Sequence, residues 1–316
     1  MSEIGFGSWA IGASWGPVDD RDALAALNEA LDLGVTFIDT ADVYGDGRSE
    51  KLIARVLKSR KGPRPIVATK IGKRLNPHNA AGYSLENFTG FVERSLRYLE
   101  VDALDLVQLH CPPTEVFYQA STFDALDELV RRGKIKRYGV SVEKVEEGIK
   151  ALQYPGVASV QIIYNMFRQR PAELFFEMAK KQDVAIVVRV PLASGLLSGK
   201  FGKDSRFSPK DHRNYNRHGE AFDIGETFAG VDYDEGLQAV EELRPLVPAA
   251  ATMAQWALRW ILMHDAVTVA IPGAKNVQQA AGNAGAMDLP PLTDAQMAAV
   301  KRIYESRIKA DVHQRW

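Results

Sequence analysis

The chain has 316 residues, of which 46% are hydrophobic and 25% charged, with 25 Gly and 15 Pro. This composition excludes a disordered polypeptide, which needs fewer apolar residues and a larger charge excess. Lys and Arg number 39 against 40 Asp and Glu, a formal charge of −1, so there is no basic footprint for nucleic acid or an anionic membrane. The one cysteine, Cys111, leaves neither an internal disulfide nor a cysteine-based metal site. The opening MSEIGFGSWAIG lacks a basic n-region, and every apolar run is shorter than the roughly 20 residues that span a bilayer. A cytoplasmic globular protein is expected.

Taken along the chain, short apolar runs alternate with amphipathic segments. A strand is predicted at Ile4–Gly7, then a helix at Asp20–Leu33 with Leu24, Leu27 and Leu31 on one face and Gly34 to end it. A strand at Thr36–Ile38 and a helix at Ser49–Lys58 follow, then a strand at Pro65–Thr69. The helix Ser84–Leu99 opens on a capping serine and sets Phe88, Phe91, Val92, Leu96 and Leu99 on one face. Strands at Leu104–Leu109 and Arg137–Val140 enclose a helix, Phe123–Arg132, that stops before Gly133. Next come a helix at Glu143–Leu152, a strand at Ser159–Ile163, and a helix at Pro171–Lys181 with proline in its first turn. The seventh and eighth strands are Ala185–Val190 and Val267–Ile271, with a helix at Asn276–Ala284. A final helix, Thr293–Arg307, starts on the capping box Thr293–Gln296.

Several strands are rich in Val and Ile without polar alternation, as parallel strands buried on both faces are. Eight such strands interleaved with helices, with no linker composition between them, predict one domain over 1–316, a (β/α)8 TIM barrel with an extra C-terminal helix and tail. A doubly wound sheet would carry G-x-G-x-x-G after its first strand, whereas this chain reads GFGSWAIG with Trp9 in the way. One connection, Phe201–Val231, is long and aperiodic, and loops of that length are lids, binding loops or solvated excursions.

In such a barrel, function sits where strands end. The runs end at Asp39, Lys70, His110, Ser141, Gln161 to Asn165, and Arg189, so these groups converge on one mouth. Singly, each has a plain structural explanation, such as Asp39 capping a helix or Tyr44 packing. Jointly they suit proton transfer to a carbonyl oxygen. A tyrosine hydroxyl has a pKa of about 10; a neighbouring Lys⁺ favours the phenolate, and an Asp holds that Lys charged and oriented. Tyr44 then serves as general acid with His110 as a further donor. No side chain supplies hydride, so carbonyl reduction implies a nicotinamide cofactor.

DTADVYG around Asp39 and Tyr44, ATK at Lys70, QLHCPP at His110, GVS at Ser141, QIIYN at Gln161, PLASGLLSGKF and IPGAKN together resemble the aldo-keto reductase superfamily, from residue 4 to about 285. The resemblance extends to the general-aldehyde and sugar-reductase branches. It implies that Tyr44 is the proton donor, that Lys70 and Asp39 tune it, and that His110 orients the carbonyl. It further implies that Ser141 and Gln161 hold the nicotinamide carboxamide and that Ser8, Trp9, Asp39 and Arg189 lie on the cofactor side. Leu192, Ser194, Gly195 and Lys200 match the pyrophosphate loop, and Gly273, Lys275, Gln279 and Asn283 the adenosine end. No metal is implied.

Departures from the family pattern matter too. GVSV puts Val142 where an Asn would contact the carboxamide. Arg189 stands where an aromatic ring commonly stacks on the nicotinamide, and its charge should weaken the oxidised cofactor relative to the reduced one. The family's N-terminal β-hairpin is missing before Ile4–Gly7; either it is lost or the natural start lies upstream of Met1. The barrel floor would then be exposed, or covered by the C-terminal tail or another chain. Lys275 favours NADPH through a 2′-phosphate contact, while Asn276 in place of an Arg keeps NADH open. The pocket wall is expected to include Trp9, Trp15, Phe117, Tyr118, Met166, Phe167 and Arg168, with Phe207 above, and several of these aromatics suit core packing equally.

The reading is an NAD(P)H-dependent oxidoreductase acting on a small carbonyl substrate, an aldehyde, ketone, sugar or keto-sugar, with no nucleic-acid or membrane partner and an unassigned oligomeric state. Two alternatives are a class I aldolase with Lys70 as Schiff-base nucleophile and a nicotinamide-binding regulatory subunit with slow turnover. Metal-dependent hydrolysis lacks its ligand spacing.

Overall fold

The computed structural model describes residues 1–12, 15–16 and 18–316. Eight strands, β1 (Phe6–Gly7), β2 (Phe37–Asp39), β3 (Ile66–Ile71), β4 (Leu106–His110), β5 (Tyr138–Ser141), β6 (Val157–Ile163), β7 (Ala185–Arg189) and β8 (Val267–Ala270), lie side by side in chain order. Every neighbouring pair is parallel. The sheet closes because β1 also lies against β8: Gly5 N donates to Ala270 O (2.8 Å) and Gly7 N to Pro272 O (3.0 Å). Closure needs glycine at position 7, where a Cβ would lie 2.5 Å from Ile271 O. The result is the predicted (β/α)8 barrel.

The outer helices are α1 (Asp20–Asp32), α2 (Arg48–Ser59), α3 (Leu85–Leu99), α4 (Ala120–Arg131), α5 (Val145–Ala151) and α6 (Phe175–Lys181). After β7 come a short α7 (His212–Tyr215), then α8 (Tyr233–Leu243) and α9 (Met253–Ile261); α10 (Val277–Ala284), α11 (Asp294–Ile303) and α12 (Lys309–Val312) end the chain. Starts follow the predicted capping chemistry, with Ser84 Oγ accepting from Asn87 N and Thr293 forming a capping box with Gln296. Two differences from the sequence reading stand out. The Pro171 segment forms a 3-10 turn at Arg170–Ala172, and α6 begins only at Phe175 because Leu174 leaves helical geometry. Helices α8 and α9 were not anticipated, although Thr252 and Gln255 form a capping box.

Period-two alternation along the strands sorts the barrel interior. Phe37, Ala68, Leu106, Val187, Val269 and Ile271 form an apolar cluster within it. Two residues further along the same inward faces stand Asp39, Lys70, Gln108 and Arg189. These four strands, β2, β3, β4 and β7, therefore carry hydrocarbon low in the barrel and polar groups at the C-terminal mouth. A larger core fills the space between strands and helices.

The tail does not cover the floor. It runs to the opposite mouth, where Trp316 packs on Arg168, while Ile66 at the start of β3 is 42% exposed. Among the described residues, no helix is long and apolar enough to cross a membrane.

Candidate active site

Asp39 and Lys70 end adjacent strands and face inward, buried to 2% and 1% exposure. Lys70 Nζ forms an ion pair with Asp39 Oδ1 and donates to Thr40 O (3.0 Å) and to the Tyr44 hydroxyl (3.3 Å). The second oxygen of Asp39 accepts from Gln161 Nε2 (2.7 Å) and Gln108 Nε2 (3.3 Å). The carboxylate thus offsets the buried ammonium and fixes its direction, the condition under which such a pair is tolerated.

Tyr44 comes from the loop between β2 and α2. Its backbone passes so close to Gly12 that a Cβ there would lie 2.8 Å from Tyr44 Cβ, and a Cβ on Gly45 (φ 61°) would lie 2.5 Å from Gly12 O. Arg74 braces the loop through Asp42 O (2.8 Å), and Arg94 through Asp46 Oδ1 (2.7 Å). The ring is stacked on Trp9 at 6.2 Å and meets His110 edge-on at 5.9 Å.

The protonation states differ in part from the sequence expectation. Burial, then the charges of Asp39 and Glu226, raise the Tyr44 hydroxyl well above the ordinary tyrosine value. The lowering expected from Lys70 is outweighed by burial and by the Asp39 and Glu226 carboxylates. Burial also pulls the Lys70 ammonium down against Asp39, and burial, Lys73 and Lys70 hold His110 well below the usual imidazole value. The site therefore holds a neutral phenol and a neutral imidazole. His110 Nδ1 is buried without a hydrogen-bond partner.

Ser141 Oγ donates to Gln161 Oε1 (3.4 Å), which places the two residues matched to the carboxamide side by side. Arg189 forms a buried ion pair with Glu226 and donates to Val142 O (2.8 Å). Cys111, Glu143 and Glu226 group around this guanidinium, their ligand atoms all within 4.8 Å of one another. Burial works against the Glu226 charge, but Arg189 holds its carboxyl below the usual range; burial pushes Glu143 up to about 7. The charge of Arg189 is therefore compensated by a partner that sequence reasoning had not supplied.

The long connection after β7 is ordered over the mouth. Ser194 Oγ donates to Glu226 O (2.9 Å) and accepts from Phe228 N (3.1 Å). Asp211 bridges to Trp15, and Trp9 lies 4.8 Å from His212. Gly195 takes φ 99°, Leu192 O accepts from Gly195 N (2.9 Å), and Lys200 is exposed. Beyond β8, Lys275 Nζ donates to Trp15 O, Lys275 N to Gln279 Oε1 (2.8 Å) and Asn283 Nδ2 to Gly273 O (3.1 Å). Ser8 is turned to the backbone, its hydroxyl donating to Asp39 O (2.7 Å).

Of the expected pocket wall, Trp9 and Trp15 stand at the mouth. Phe117 and Phe167 are buried in the outer core, Tyr118 is 68% exposed, and Phe207 packs on Phe201 and Phe228 within the long loop. Sequence reasoning missed Gln108, Glu226, Asp223 and Trp316. Gln108 was findable, two residues before His110 on the same strand face; the others have no local signal.

The closed (β/α)8 barrel gathers Asp39, Lys70, Tyr44 and His110 at its C-terminal mouth, where barrel enzymes place their chemistry. The Aldo/keto reductase family model matches residues 3–305, and the chain belongs to that family. It is 31% identical over 287 residues to the aldo-keto reductase YhdN of Bacillus subtilis (strain 168), covering 88% of this chain and 82% of YhdN. It is 30% identical to the aldo-keto reductase yakc [NADP(+)] of Schizosaccharomyces pombe (strain 972 / ATCC 24843), across 98% of this chain and 89% of that protein. Among solved structures, the glycerol dehydrogenase AKR11B4 from Gluconobacter oxydans superposes with a TM-score of 0.79 at 28% identity, over 98% and 93% of the two chains.

Proposed function

We propose that the protein reduces an aldehyde or ketone to the alcohol with NADPH, Tyr44 delivering the proton. The observation that carries this reading is Lys70 Nζ, held between the Asp39 carboxylate and the Tyr44 hydroxyl beside His110. A neutral phenol is an acid fit to protonate a developing alkoxide, and the adjacent ammonium stabilises the phenolate left behind. Neutral His110 offers the carbonyl oxygen one further N–H. Asp39 keeps Lys70 charged, and Gln108 and Gln161 keep Asp39 in place.

The residues present fit a nicotinamide dinucleotide. The side chains of Ser141 and Gln161 sit together at the mouth, and His110 Nδ1 is a buried polar atom without a hydrogen-bond partner. Leu192, Ser194, Gly195 and Lys200 would hold the pyrophosphate. Gly273, Lys275, Gln279, Asn283 and the start of α10 would hold the adenosine end, where a helix N-terminus favours phosphate. When bound, the cofactor supplies hydride, which no side chain can. Lys275 and the bracketed cofactor in the name of the yakc relative support NADPH. Asn276 caps α10 instead of adding a second cation, so the 2′-phosphate clamp rests on Lys275 and NADH remains compatible.

The aldolase alternative loses support because all three N–H groups of Lys70 have acceptors, leaving it poorly placed as a nucleophile. Fluorescence titration with NADPH and NADH, followed by an aldehyde and keto-sugar screen, tests the proposal. Binding of a nucleotide and its oxidation by a carbonyl compound support it; binding of neither nucleotide overturns it.

A further inference from the structure

Among the described residues, most charged groups at the mouth are held by ion pairs or hydrogen bonds. Asp39 is bound to Lys70, Glu226 to Arg189, and Asp223 accepts from Trp316 Nε1 (2.9 Å) and Gly225 N (2.7 Å). Arg74, on the loop after β3, has both Asp42 and Asp46. Its neighbour Lys73 is half-buried and makes neither an ion pair nor a hydrogen bond among the described residues. The Lys73 ammonium lies 5.9 Å from the centre of the Phe222 ring, which stands 6.0 Å from Trp9, and Trp9 stacks on Tyr44. Lys73 therefore looks across the mouth at the aromatic wall beside the proton donor, three residues past Lys70.

We infer that Lys73 selects carbonyl substrates bearing a carboxylate away from the reacting carbon. The inference rests on the reductase reading and names its substrate class. An ammonium at the mouth that makes no ion pair is available to a ligand that brings negative charge. One ammonium, a compact point charge, suffices to pair with one carboxylate. Proximity to the reacting centre is independently visible, since after burial the charge of Lys73 is the largest influence holding His110 neutral. Glu143 is the remaining acid nearby, and burial leaves it only partly ionised near neutrality.

The test compares kcat/KM for 4-carboxybenzaldehyde and its uncharged methyl ester, methyl 4-formylbenzoate, with NADPH. In the unsubstituted enzyme the acid is preferred, and added NaCl erodes the preference. Lys73→Met lowers the acid-to-ester ratio by about tenfold or more, as expected for loss of a charged partner, and Lys73→Arg retains most of it. Because the ratio is taken within each variant, it does not depend on how much of the variant is folded. An equal ratio in the enzyme and in Lys73→Met overturns the inference while leaving the reductase reading intact. Failure of both aldehydes to be reduced with either nucleotide overturns the reductase reading and this inference with it.

Discussion

Arg189, at the end of β7, is ion-paired with Glu226 from the long loop that crosses the mouth, and both side chains are buried. The pair does two things at once. It fastens the loop to the barrel, and it neutralises a guanidinium that, on the proposed cofactor placement, faces the nicotinamide.

Glu226→Gln should unmask that charge. At several ångströms and an effective dielectric near 20, repulsion of the oxidised ring amounts to about 2 kcal/mol, so NADP⁺ affinity should fall by roughly tenfold or more relative to NADPH. Leaving Arg189 buried and unpaired should also destabilise the fold by about 3–5 kcal/mol. Adding Arg189→Met to the variant should abolish the discrimination. Equal changes in the two dissociation constants would remove the argument.

Tyr44→Phe should lower the rate of aldehyde reduction by about a hundredfold or more, with NADPH affinity kept, since a positioned acid contributes on that scale. With His110 held neutral and Tyr44 held protonated, neither changes charge around neutrality. Glu143, pushed up to about 7, is a group at the mouth that titrates there. An inflection near neutral pH in the reduction of a neutral aldehyde should therefore vanish in Glu143→Gln. Its survival in that variant would assign the inflection to another group, such as Asp42 beneath the Tyr44 loop.

Most of the fold is legible because a parallel barrel writes its pattern locally. Buried strands read as Val- and Ile-rich runs, and period two places Asp39 above Phe37 and Lys70 above Ala68, which brings four strand ends to one mouth. The same logic reaches Gln108 from His110. It fails where contacts depend on the path of a loop: nothing near Glu226 in sequence points to Arg189, and nothing near Trp316 points to Arg168. Protonation is also illegible, because the presence of Lys70 predicts a depressed phenol whereas burial and Asp39 raise it. The tail illustrates the same limit. An exposed floor invited a cover, yet the indole is held at the other mouth by partners far away in the chain.

Asp42, under the loop that carries Tyr44, offers a stability test. Its side chain is fully buried, with Arg74 Nε at 3.4 Å, and burial raises its carboxyl from 3.8 to about 7. The native state therefore holds a proton that the unfolded chain has released between about pH 4 and 7, so stability falls as pH rises through that window and the full penalty is present above it. Asp42→Asn cannot titrate. Thermal denaturation should show it gaining on the unsubstituted protein from pH 5 to pH 8, by an amount on the order of a few kcal/mol. Parallel Tm-against-pH curves would show that Asp42 carries no such shift.

Trp316 braces the loop that carries Glu226. Its indole lies 4.0 Å over the Arg168 guanidinium, its Nε1 donates to Asp223, and its ring occupies the space that a Cβ on Gly230 would enter, with an approach of 2.4 Å. Arg170 NH1 donates to its carbonyl (2.5 Å). These contacts fall on both sides of Glu226, so the indole supports the segment that positions the partner of Arg189. Trp316→Ala should loosen residues 223–230, seen as faster amide exchange there while the barrel strands keep their protection. NADPH should dissociate faster, and Tm should drop by several degrees through loss of a buried aromatic and its cation–π contact. Trp316→Phe keeps the stacking but not the Asp223 bond, and should fall between the two. Unaltered exchange at 223–230 in Trp316→Ala would mean that the loop is held by Ser194 and Arg189 alone.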